Sequence, residues 1–203
     1  MHEHSHRTNR QMAGENRSRH CSHIAVIYAA ILCLLLVCAG CDGFKTSQDG
    51  LQAFNRGDFT SARNIWQRLA RDHDTFALYG LGKLYETGSG VGQDFEAAAI
   101  WYEKAAIRNS PYAQGALALL YSYGLGVDVN LPRAHALSIL AAEGYGRWAL
   151  DLQQAALTNA QILARHMTPA QQARGAEELR EWRDLIREGV SVPQKGALAK
   201  RPQ

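Results

Sequence analysis

Leu81–Ala106 reads LGKLYETGSGVGQDFEAAAIWYEKAA, and Leu117–Ala142 reads LALLYSYGLGVDVNLPRAHALSILAA. Set one above the other, the two lines say the same thing. Leu81, Tyr85, Gly88, Gly90, Val91, Ala98, Ala105 and Ala106 recur 36 positions on as Leu117, Tyr121, Gly124, Gly126, Val127, Ala134, Ala141 and Ala142. A helical pair of this size cannot bury its own apolar face, but stacked neighbours bury it for each other. The period therefore predicts an array of helix pairs, an α-solenoid.

Local signals place the helices. Phe59 to Asp72 carries Ala62, Trp66 and Leu69 on one face, the i, i+4, i+7 spacing of a single buried stripe. Asp74 can cap a helix from Thr75 to Thr87, and Gly88 suits the left-handed position past its end. Asp94 opens Phe95 to Arg108, which Asn109 and Ser110 break. Pro111 fits the first turn of a helix reaching Tyr123 and stopped by Gly124. Asn130 and Pro132 open another that ends near Gly144. A first short helix is expected over Gly50 to Asn55. Arg147 to Leu157 reads as the first helix of a further repeat, because Ala113 recurs as Ala149. Thr158 is expected to cap a short helix to Met167. Thr168-Pro169 starts a last helix to about Glu188, with Ala176, Leu179, Trp182, Leu185 and Ile186 as its stripe. Repeat arrays need an end cap with one wet face, and this helix fits that role. No segment alternates as a strand does.

Inside the pairs, small Gly82 and Ala118 let helices approach closely. Tyr85 and Tyr121 lock the first helix of a pair against the second, and Ala98, Tyr102 and Ala105 form the facing stripe. In the second copy Ser138 stands where Tyr102 stood, and Leu137 takes up the apolar load.

These residues carry a family resemblance. Leu78-x-x-Leu81-Gly82-x-x-Tyr85 with Ala98-x-x-x-Tyr102 follows the tetratricopeptide scheme. The inserted turn Gly88-Ser89-Gly90-Val91, followed by Asp94 and by Trp101-Tyr102-x-Lys104-Ala105-Ala106, resembles the Sel-one-like repeat family. The resemblance implies an all-α fold, a short right-handed α-solenoid of antiparallel helix pairs with a C-terminal capping helix. It also implies scaffold or adaptor work, with the first helix of each pair lining a concave face. Carried over position by position, the groove would be lined by Phe76, Tyr79, Lys83 and Glu86 in one unit. The next unit offers Tyr112, Gly115, Leu119 and Ser122, and Gln52 and Asn55 extend the row. That mix suits a protein or peptide partner.

The first 40 residues differ in kind. Residues 1–23 are polar and hold His2, His4, His6, His20 and His23; they read as a flexible tail, since a metal site needs ligands in fixed geometry. Ile24 to Ala39, IAVIYAAILCLLLVCA, is apolar but short for a membrane-spanning helix, which needs about 20 residues. Behind Arg17 and Arg19, and ahead of small Ala39-Gly40, it reads as a secretory signal peptide; a start at Met12 would leave a short basic leader. Val37-Cys38-Ala39-Gly40-Cys41 resembles the lipobox of bacterial lipoproteins, with Cys38 where leucine is usual. The resemblance implies a lipid on Cys41, an anchor whose buried methylenes contribute about 0.8 kcal/mol each. It also implies a periplasm-facing place in the bacterial cell envelope, and Asp42 resembles the signal for inner-membrane retention. The domain reading is then 1–40 signal peptide, 41–49 tether, 50–157 repeats, 158–188 capping helices and 189–203 a disordered tail with two prolines.

Composition closes off other chemistry. The chain has 22 basic and 19 acidic residues. Arg7, Arg10, Arg17 and Arg19 lie in the leader against Glu3 and Glu15, so the remainder is close to neutral and lacks a nucleic-acid footprint. All four cysteines lie by position 41, so the repeats hold no disulfide and no thiolate metal site. Gly88-Ser89-Gly90-Val91-Gly92 follows a helix and lacks a downstream Lys-Ser/Thr, so it is a turn and not a phosphate loop. His135 and Ser138 have no placed orienting carboxylate; His135 is expected at the surface or in the groove. Asp72, His73 and Asp74 are explained by helix capping. Glu177 to Glu188 is expected to be a solvated, ion-paired helix face. The reading is a membrane-anchored interaction scaffold, not an enzyme and without a cofactor. An alternative is an accessory factor binding peptidoglycan or another envelope polysaccharide.

Overall fold

The computed structural model describes residues 45–146 and 149–189. The expectations for the leader, Cys41 and the tail beyond Gly189 lie outside the described residues. Lys45 onward forms one unit of eight described helices: α1 Ser47–Asn55, α2 Phe59–Arg71, α3 Thr75–Thr87, α4 Phe95–Ala106, α5 Pro111–Tyr123, α6 Leu131–Gly144, α7 Leu150–His166 and α8 Pro169–Glu188. No strand occurs among the described residues. Each helix packs on the next as far as α7, while α8 returns to lie on α6. The fold is an α-solenoid.

The helix boundaries follow from the sequence chemistry. The carboxylates of Asp58, Asp74 and Asp94 each accept a bond from the backbone N–H three residues on, and Asn130 Oδ1 accepts from Arg133 N at 3.0 Å. These bonds satisfy donors that a helix leaves open at its N-terminus. α3 and α5 end on Gly88 and Gly124, at φ +70° and +67°. Beyond them the turns close in register: Ser89 N donates to Leu84 O and Leu125 N to Leu120 O, then Asp94 N to Tyr85 O and Asn130 N to Tyr121 O.

The second glycine of each turn joins successive repeats. A Cβ on Gly90 would lie 2.6 Å from Phe59 Cβ, and one on Gly126 would lie 2.3 Å from the Phe95 and Glu96 backbone. Phe59 and Phe95 begin α2 and α4, so each turn rests on the start of the preceding pair's second helix. Both glycines have φ near +70°, a region that L side chains enter only with strain.

The interior is built on a second periodic position. Trp66, Tyr102 and Ser138, each 36 residues apart, are all buried. The Trp66 ring fills the space over Gly50 of α1 and Gly80 of α3, where Cβ atoms would lie 2.3 and 2.5 Å from it. Its Nε1 donates to Ser47 O at 3.2 Å. The Tyr102 ring lies over Gly82, where a Cβ would meet it at 2.5 Å. Ser138 is too small to fill the position, and Leu137 beside it is fully buried. Ser138 Oγ donates to Ala134 O and accepts from Asn159 Nδ2 of α7 at 2.8 Å.

Four expectations are corrected. α1 begins at Ser47, so the tether does not extend to residue 49; Asp49 Oδ2 accepts from Thr46 N and Oγ1 and starts the helix early. α7 runs unbroken through 157 and 158, so the boundary between repeats and capping helices falls inside a helix. No Gly or Pro interrupts that stretch, and Thr158 sits mid-helix, its Oγ1 accepting from Gln154 Nε2. Ala176 is exposed, and Gly175 and Glu178 take the buried side of α8 beside Trp182. His135 lies in the α6–α8 contact and not in the groove: its Nδ1 is 3.4 Å from where a Cβ on Gly175 would stand.

Candidate interaction groove

Phe76, Tyr79, Lys83 and Glu86 lie on α3 at spacings of three and four, which puts them on one side of the helix. Tyr112 holds the matching place on α5. The rings meet: Phe76 and Tyr79 have centroids 6.1 Å apart, and Tyr79 and Tyr112 5.8 Å. Two residues missed in the sequence complete the row. Tyr145 stands edge-on to Tyr112 at 5.4 Å. Tyr102 stacks under Tyr79 at 5.6 Å. Gly115 makes the room: it replaces Tyr79 in the second copy, and the Tyr145 hydroxyl lies 3.4 Å from where a Cβ on Gly115 would be.

Charge in the row is neutralised. Lys83 Nζ donates to Glu86 Oε2 at 2.7 Å, and the Tyr102 hydroxyl donates to the same oxygen at 3.0 Å. Burial drives the Tyr102 phenol far above its usual range, with Glu86 adding to the effect. Burial also raises Tyr79, and it pushes Tyr145 up to about 12. Tyr79, Tyr102 and Tyr145 are therefore neutral phenols near neutral pH.

The other expected groove residues are less closely tied. Leu119 is exposed on α5, and Ser122 turns its hydroxyl back to Ala118 O. Gln52 and Asn55 are exposed on α1. Among the described residues no group of His, Cys, Asp and Glu is placed to hold a metal ion. Asp74 of the Asp72–Asp74 cluster is a cap, its Oδ1 accepting from Ala77 N and Ser47 Oγ.

A model of the Sel1 repeat family matches residues 75–110 and 111–145. The chain carries two Sel1 repeats. Their boundaries fall at α3–α4 and α5–α6, each with its trailing turn. Protein sel-1 homolog 2 of Mus musculus and its counterpart in Rattus norvegicus are each 34% identical over 80 residues. Those matches cover 39% of this chain and only 12% of either relative. Among solved structures, a protective antigen present in uropathogenic Escherichia coli strains and displaying an SLR fold superposes with a TM-score of 0.61. It is 22% identical, and the match covers 73% of this chain and 32% of that one. That likeness shows a shared Sel1-type fold. Sel1 repeats are a protein-interaction fold; Phe76, Tyr79 and Tyr112 of the aromatic row lie on the first helices of the two repeats, α3 and α5, and Tyr145 follows α6.

Proposed function

We propose that this chain is a membrane-anchored scaffold of the bacterial cell envelope that binds a partner protein or peptide along α3 and α5. The carrying observation is the row Phe76, Tyr79, Tyr112 and Tyr145. Its residues differ between the two copies, whereas the residues that build the repeat are shared. Tyr112 and Leu119 are both more than 40% exposed. Aromatic anchors of this kind supply most of the energy of many interfaces.

The anchoring half rests on the sequence of residues 24–41. Labelled palmitate is expected on the wild type and not on Cys41→Ser; an unlabelled wild type contradicts it. No described helix is long and apolar enough to cross a membrane. For the binding half, photocrosslinkers replacing Lys83 or Leu119 are expected to capture one discrete partner in the host. Capture only from Ile100 of α4 or Arg180 of α8 contradicts the groove. The exposed ring of Tyr112 also favours a second reading, stacking on envelope polysaccharide. Recovery of the chain on purified murein, lost in Tyr112→Ala, would support it.

A further inference from the structure

Resting on the scaffold reading, the geometry points to a proline-rich segment in the polyproline II conformation as the occupant of the aromatic row. Three observations agree on it.

The first is hydrogen bonding. The hydroxyls of Tyr79, Tyr112 and Tyr145 have no hydrogen-bond partner among the described residues; the polar contacts of the row end at Tyr102 and Glu86. Half-buried Tyr79 and exposed Tyr112 therefore offer O–H donors with no acceptor among the described residues, beside the buried Tyr145. A polyproline II backbone has no internal hydrogen bonds, so its carbonyls need outside donors. A docked helix satisfies its own carbonyls and would leave the phenols unused. Addition of a strand needs a sheet edge, and the described residues have no strand.

The second is shape. Adjacent rings are turned against each other, by 43° between Tyr79 and Tyr112 and 78° between Tyr112 and Tyr145. Rings set this way form ridges with notches between them. Pyrrolidine rings fit notches between aromatic ridges, as in other grooves that read proline-rich peptides. A sugar chain instead stacks on flat, exposed faces, and here only Tyr112 offers one. At about 3.1 Å per residue, three or four residues of such a peptide span the three tyrosines Tyr79, Tyr112 and Tyr145.

The third is charge. Lys83 is closed on Glu86, and Glu86 is shared with Tyr102. An acidic or phosphorylated segment finds no open cation in the row, and a basic one finds no open carboxylate. The partner segment is therefore apolar and uncharged where it crosses the tyrosines.

The test is selection of a random dodecapeptide library, displayed on phage, against the full-length chain in detergent. Enriched peptides carrying two prolines three residues apart are expected. Tyr112→Ala should weaken them at least about tenfold, the effect of losing one interface anchor. Tyr112→Phe, which keeps the ring and loses the donor, should weaken them about three- to tenfold. Ile100→Ala on α4 is the control and should leave them unchanged. Enriched peptides without proline that still depend on Tyr112 would overturn the conformational claim and leave the groove standing. Peptides indifferent to Tyr112→Ala, or murein fragments binding through Tyr112 where no peptide does, would overturn the groove as a peptide site as well. A selection with no enrichment overturns the inference too.

Discussion

Gly82 and Tyr102 decide how closely α3 and α4 approach. With no room for a Cβ against a fully buried ring, Gly82→Val is expected to cost about 1–3 kcal/mol, and more if the ring cannot move. Urea unfolding of the variant against wild type measures it. Gly126 makes a sharper case, because backbone and not a side chain opposes its Cβ, and its φ is positive. Gly126→Ala should therefore destabilise clearly more than Gly92→Ala, where nothing lies within 4 Å. Equal melting temperatures for the two would mean that the turn does not rest on α4. The roles of Gly82, Gly88 and Gly124 were legible in the sequence, since each sits at a fixed offset from a repeated tyrosine. Tyr145 was not. It follows Tyr112 by 33 residues and has no counterpart on the 36-residue period, so only the space over Gly115 explains its place. Trp101 reads as core from its type, yet it is half-buried, with Lys104 Nζ 4.2 Å from its ring centroid.

At the scale of elements, α8 is held on α6 by a buried polar latch. Arg133 Nε and Nη2 donate to the two oxygens of Glu178, at 3.0 and 3.4 Å, and Nη1 donates to the Tyr121 hydroxyl. Arg174 approaches Glu178 from the same helix. The Glu178 side chain is only 4% exposed. Removing Arg133 leaves the buried carboxylate only its longer contact to exposed Arg174, so Arg133→Ala is expected to cost up to about 3 kcal/mol in chemical unfolding. A loss under about 1 kcal/mol would show that α8 is held by Trp182 and Gly175 alone. Glu178 was hidden in the sequence inside the run Glu177–Glu188, whose ion pairs also differ from the spacing expected: Glu177 pairs with Arg174, Arg187 with Asp184, and Arg183 with Glu143 of α6. The Arg133 partner of Glu178 is 45 residues away, beyond any spacing rule for a single helix.

His135 gives the same contact a pH dependence. Burial holds its pKa below the ordinary 6.5, and its Nδ1 has no partner. The unfolded chain therefore takes up the proton first, and stability falls as pH drops through about 6.5 toward the folded value. Glu103, raised by burial and partly offset by Arg133, acts in the opposite sense at lower pH. Comparing His135→Gln with wild type isolates the histidine: the wild type should lose more stability between about pH 7.5 and 5.5. Parallel curves would remove His135 as the cause.

For the whole molecule, the array is a sequence of like contacts with different ends. Trp66, Tyr102 and Ser138 show the change: the filling side chain shrinks along the chain, and by α6 a hydrogen bond from Asn159 replaces the ring. α7 continues the first-helix row, and α8 covers the start of α6 where a further glycine turn would rest. Fold class, helix order and six of the eight helices were legible because the period and its caps repeat. α7 was split because Thr158 resembles a cap when no neighbour is known, and the aromatic row was only half legible because it crosses between repeats.

We propose the tyrosine row as the binding surface of the molecule. Hydroxyl-radical footprinting of the chain, free and with its crosslink-captured partner, tests it most directly. Modification of Tyr112 and Leu119 is expected to fall on binding, while Ile100 and Trp101 on α4 keep their rates. Unchanged Tyr112 and Leu119, with protection confined to α4, would place binding on another face.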